Sequence, residues 1–126
     1  MDKLDEELNV QNDYINAIEQ NLLKDASELG KYRYEIDPTT GRINNYEEAL
    51  QANLDEFNKA QDDYKNYRIS EEAYKLAEEK YNDSKDALAQ YEETLNLLES
   101  EEDKYLDKQN ERFDKHLEKA KYIVEF

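Results

Sequence analysis

The chain has 126 residues, 40% of them charged and 37% hydrophobic, with two Gly, one Pro, no Cys and a formal charge of −16. That is about one domain's worth of chain, too polar for a thick globular core, and without Cys it has no disulfide framework, thiolate metal site or cysteine nucleophile. The acidic balance disfavours direct binding to nucleic-acid phosphates or to anionic membranes, both of which need clustered Lys and Arg. No apolar run approaches the roughly 18 residues of a membrane span.

Regular apolar spacing compensates for the thin composition. Leu4, Leu8, Ile15, Ile18, Leu22 and Leu29 recur at steps of three or four or their small multiples, which predicts a first helix over about 2–29 that buries a narrow seam. Gln11 and Asp25 interrupt that seam with polar groups. Gly30 follows it, where a left-handed C-terminal cap is expected. The start, Met1-Asp2-Lys3-Leu4-Asp5, lacks the basic region and apolar core of a signal peptide.

Over about 32–44 the period changes. Tyr32, Tyr34 and Ile36 alternate with Arg33 and Glu35, as in a half-buried strand. Asp37-Pro38-Thr39-Thr40-Gly41 supplies turn chemistry, and Arg42-Ile43-Asn44 can return, so the reading is a short β-hairpin. Asn45 with Glu48 three residues later forms a capping-box pattern that opens a second helix over about 46–67. Its seam is Tyr46, Leu50, Asn53, Phe57, Ala60, Tyr64 and Tyr67.

Ser70 followed by Glu71 and Glu72 is a start signal: a cap, then acids in the first turn. A third helix is predicted over about 70–125, with a seam of Tyr74, Ala77, Tyr81, Leu88, Tyr91, Leu95, Leu98 and Tyr105. No Gly or Pro separates it from the second helix, so one continuous helix is the alternative to a helical hairpin there. At 1.5 Å per residue the third helix measures about 80 Å against about 40 Å for the first. Beyond Tyr105 the phase slips to Leu106, Gln109, Phe113, Leu117, Ala120 and Val124.

The expected fold is mainly α: a long-helix, coiled-coil-like bundle of three helices with one short β-hairpin between the first and second. Residues 1–126 read as a single elongated module. The ending Tyr122-Ile123-Val124-Glu125-Phe126, with no polar tail, reads as a fragment of a longer protein. If the two shorter helices cover the first half of the third, Leu95, Leu98, Leu106, Phe113, Leu117 and Val124 form an uncovered stripe. Such a stripe implies a protein partner, either another copy or the rest of a longer chain.

Charge is unevenly placed. Residues 1–44 carry a net −5, residues 45–103 a net −12, and residues 104–121 a net +2. Solvated helix faces explain most of this, with cations gathered toward a helix C-terminus. The sharper readings are a docking face for a basic partner or a mimic of nucleic acid.

Catalytic constellations are absent from the pattern. His116 is the single histidine, Phe113 stands three residues before it where a di-iron bundle places Glu, and neither a phosphate-cradling glycine loop nor a calcium loop occurs. The chain reads as no enzyme, with no cofactor and no metal.

Lys31–Ala60, KYRYEIDPTTGRINNYEEALQANLDEFNKA, resembles a stretch of phage tail tape measure proteins and related long virion structural proteins. Gly41, Ile43, Asn45, Tyr46 and Glu48 carry the pattern. Tyr91–Phe126 is similar to the helix that follows there, through Glu111, Asp114, Lys115, Leu117, Glu118 and Lys119. The resemblance implies an internal structural segment of a phage tail, assembled in the bacterial cytoplasm, acting by helix packing and without catalytic residues. It lacks the length and the apolar segment of those proteins, so length measurement is not implied. An acidic cytoplasmic adaptor binding a partner helix and an acidic nucleic-acid-mimicking inhibitor are the other two expectations.

Overall fold

A computed structural model describes the backbone of residues 3–124 and the side chains of residues 3–119. The element order is α1 (Lys3–Leu29), a 3-10 turn (Gly30–Tyr32), α2 (Tyr46–Lys65) and α3 (Glu71–Val124). These elements form two compact units, one of Met1–Gln20 with Leu95–Phe126 and one of Asn21–Thr94.

The unit Asn21–Thr94 holds the connecting segment and the α2–α3 reversal. Leu22, Ala26, Leu29, Tyr34, Ala49, Leu88 and Tyr91 are buried in it. Aromatic stacking fastens α2 to the start of α3. Phe57 lies 4.8 Å from Tyr81 with rings 9° apart, and Tyr64 lies 4.8 Å from Tyr74 at 13°. Such pairs contribute about 0.5–1.5 kcal/mol beyond the area they bury.

Between α2 and α3 the chain reverses at residues 66–70. Arg68 N donates to Asp63 O and Tyr67 N to Tyr64 O. This is the paired C-terminal bonding that closes a helix with a left-handed residue. That residue is Tyr67, at φ 59 and 96% exposed, so it does not extend the α2 seam to which its spacing assigns it. Ser70 Oγ accepts from Ala73 N at 3.1 Å and so caps α3.

The β-hairpin over 32–44 does not form. Among the described residues there is no strand, and the only pairing in this segment is an isolated antiparallel bridge between Ile36 and Ile43. The reason is local. Tyr32, the first residue of the alternating run, is drawn into the 3-10 turn that continues α1, and Arg33 turns left-handed at φ 73. Arg33, not Gly30, is therefore the C-terminal cap. Its guanidinium meets Glu56 at 2.6 Å and donates to Ala52 O at 3.2 Å, contacts that offset the strain of a non-glycine residue at positive φ.

With Tyr32 and Arg33 gone, too few extended residues remain for a ladder, and Asn45 supplies the missing pairing from a side chain. Its Oδ1 accepts from Glu35 N at 2.7 Å, and its Nδ2 donates to Arg33 O at 2.9 Å. Asn45 thus leaves the helix-capping role read from its sequence: α2 begins without a side-chain cap bond. The turn is tight nonetheless. Thr39 N donates to Asp37 Oδ1, Gly41 N to Asp37 O, and Gly41 sits at φ +72. A Cβ at Gly41 would lie 3.3 Å from Leu23 Cδ2, and its carbonyl accepts from the buried Tyr91 hydroxyl at 2.8 Å. Loop and helices are locked together at this point.

The unit of Met1–Gln20 with Leu95–Phe126 is an antiparallel helix pair. Gln11 lies level with Glu101, and Asp5 lies level with Arg112. Leu4, Leu8, Ile15 and Ile18 on α1 and Leu98 on α3 are buried along it.

Candidate interaction face

In this helix pair, α3 meets α1 through Leu98, Glu101, Tyr105, Lys108 and Arg112, spaced three and four apart on one face. Leu98 is 4% exposed, and Glu101, Tyr105 and Lys108 are half-buried. Gln11 breaks the apolar row of α1 here, and its Nε2 donates to Glu101 Oε2 at 2.8 Å. The Lys104 ammonium at 3.1 Å is the larger influence on that carboxyl. Together Lys104 and then Gln11 hold Glu101 below the usual carboxylate range. Gln11 Oε1 is buried without a hydrogen-bond partner. Arg112 Nε is 2.8 Å from Asp5 Oδ1, yet that oxygen receives no well-aligned hydrogen bond, so the contact is ionic in character.

The predicted stripe divides. Leu98 is buried and Leu95 half-buried, because the first half of α1 lies along this part of α3. Length alone cannot show which end of a long helix its partner covers. Leu106 is 53% exposed, Phe113 65% and Leu117 57%. Val124 lies outside the residues whose side chains are described. The open part of the stripe is therefore Leu106, Phe113 and Leu117.

These three side chains follow the slipped phase beyond Tyr105. At about 100° per residue they point roughly 120° around the axis from the face that holds α1. Asn110, exposed, shares their face, so Leu106, Asn110, Phe113 and Leu117 step by four, three and four. Asn110, rather than the Gln109 expected from the sequence, is thus the polar member of the row, and the four–three–four step is the signal for it. Beside the stripe, Gln109, Arg112, Phe113 and His116 line a shallow groove of about 250 Å³. On the other side of the pair, Val10, Tyr14 and Gln11 line an open groove of about 500 Å³ with Lys3, Glu7 and Lys108 at its rim.

The unit Asn21–Thr94 carries an acidic groove of about 320 Å³ between α1 and α3, lined by Asp25, Glu28, Tyr32, Asp83, Asp86 and Gln90. Asp25, the second polar interruption of the α1 seam, accepts from Thr94 Oγ1 at 2.6 Å. Among the described residues, no group of three or more His, Asp or Glu is placed to hold a metal ion, and no helix is long and apolar enough to cross a membrane.

Fold and exposed face together define a mainly helical protein built by helix-to-helix packing. No protein-family model matches the chain, nor does any curated protein or solved structure.

Proposed function

We propose that this chain is a structural segment of a phage tail or a similar helical assembly, acting through packing of its open α3 face against another helix. The observation that carries the reading is the exposure of Leu106, Phe113 and Leu117 in one row, turned away from the helix that α3 already packs against. An apolar row of this kind on a charged helix implies a partner. The resemblance over Lys31–Ala60, through Gly41, Ile43, Asn45, Tyr46 and Glu48, supplies the phage-tail context.

Virion proteomics tests it. Phage particles from the source strain, purified through a density gradient, should carry peptides of this chain, and gold-labelled antibodies should mark the tail. Peptides confined to the cell lysate and missing from intact particles would overturn the reading.

The acidic groove of Asp25, Glu28, Asp83 and Asp86 favours a second reading, an adaptor that holds a basic partner segment. That reading requires binding of a lysine-rich helical peptide that weakens as salt rises and is lost in Asp83→Lys with Asp86→Lys.

A further inference from the structure

The geometry points to a second copy of this chain as the occupant of the open α3 face, bound parallel and in register along Leu106, Asn110, Phe113 and Leu117. The inference rests on the proposed assembly role of that face and names its partner.

Three observations on α3 converge. The first is the spacing. Steps of four, three and four place Leu106 and Phe113 at one core position of a heptad and Asn110 and Leu117 at the other. This is the spacing with which a helix packs its core positions against another helix in a coiled coil. A single Asn among such core positions pairs with its counterpart across the interface, and it sets register and strand number at a cost in stability. Asn110 is that single polar residue, and it stays exposed within this chain.

The second observation is the sidedness of charge. Asp107 and Asp114 border the stripe on one side, with Glu111 and Glu118 beyond them. Gln109 and His116 border it on the other, with Arg112 and Lys119 beyond. When two such helices pair in parallel about a twofold axis, the acidic border of each faces the Gln109–His116 border of the other, which carries no acid. An antiparallel pair would set acid against acid. The distribution therefore favours the parallel arrangement and disfavours the antiparallel one.

Third, this is where two copies of so acidic a chain can meet. Residues 45–103 carry a net −12, whereas residues 104–121 carry a net +2. Contact along the α2 or early α3 surface would bring much like charge together; contact along the open stripe brings far less. The α1 helix leaves the stripe free because it packs on the Leu98–Arg112 face.

Sedimentation of the full chain over a concentration series, with circular dichroism as a fold control, tests the partner. A reversible dimer is expected, with Phe113→Asp weakening it by about thirtyfold or more while helicity is kept. Leu117→Asn serves as a milder second variant should Phe113→Asp lose helix. The chain has no native Cys, so single cysteines report orientation. Under mild oxidation, Asn110→Cys and Leu117→Cys should each give disulfide-linked dimers, because each position meets its own counterpart in a parallel pair.

A monomer mass up to millimolar concentration would overturn the inference, and so would a dimer indifferent to both substitutions in the stripe. Cross-linking at only one position, or at neither, would overturn the parallel register. A monomer whose peptides are nonetheless found in virions would sink this inference alone and leave the assembly reading standing.

Discussion

The Tyr46 hydroxyl donates to Glu92 Oε1 at 2.7 Å. That bond to a carboxylate, with some help from burial, pushes the phenol up to about 12. A group whose folded value is raised stabilises the fold fully below its ordinary value of about 10, and the contribution is lost as pH rises toward the folded value. Thermal melts of the wild type between pH 9 and 12 should therefore lose midpoint more steeply than melts of Tyr46→Phe. Equal slopes would show that the Glu92 bond contributes nothing. Other single side chains replace expected backbone pairing: Asn53 Nδ2 donates to Tyr32 O at 2.9 Å, and Asn45 bonds both Arg33 and Glu35. Amide side chains can act as backbone surrogates in this way because they carry the same donor and acceptor.

At the scale of elements, the least favourable residue is Tyr67, which ends α2 at positive φ with its ring in water. Glycine adopts this conformation at no steric cost. Tyr67→Gly should raise stability by about 1 kcal/mol in urea unfolding, and a loss would mean that the ring makes a contact worth more than the strain. Helices were legible in the sequence because their signals are periodic and redundant. The α3 start rests on Ser70 with Glu71 and Glu72, and its seam repeats over several heptads. The connecting segment was misread because its alternation was real but too short. A ladder needed Tyr32 and Arg33, which continued helical geometry claimed for the turn after α1. The sequence signals a capping residue at Asn45 but not which of two backbone targets its amide will take. The open face was legible as a stripe; its boundary was not. The α1 helix runs alongside Leu106 as well, since Asp5 meets Arg112; Leu106 and Phe113 stay exposed because the phase slip turns them off the face that holds Leu98.

On the scale of the whole molecule, the formal charge of −16 repels itself in the compact state. Ion pairs between elements, such as Arg33–Glu56, Lys80–Glu56 and Arg112–Asp5, offset only part of that, and the first two are substantially exposed, where such pairs contribute little. Screening should then favour the fold. The thermal midpoint is expected to rise between low and high sodium chloride, and a fall would show that specific ion pairs outweigh the diffuse repulsion. The same addition of salt should also make any self-association easier, since fewer unscreened acids remain to oppose it.

The hydrogen bond between Gln11 and Glu101 joins residues 90 positions apart in the chain, whereas the Phe57–Tyr81 and Tyr64–Tyr74 stacks join near neighbours. Closing a long loop costs more entropy than closing a short one, and distant contacts slow folding. The α2–α3 reversal is thus expected to form early and the docking of the first turns of α1 late, an order that mutations at Phe57 and Leu98 would report through their separate effects on folding and unfolding rates. In that interval the Leu98 side of α3 stands open as well as the Leu106 side, and the docking of α1 closes the first of the two.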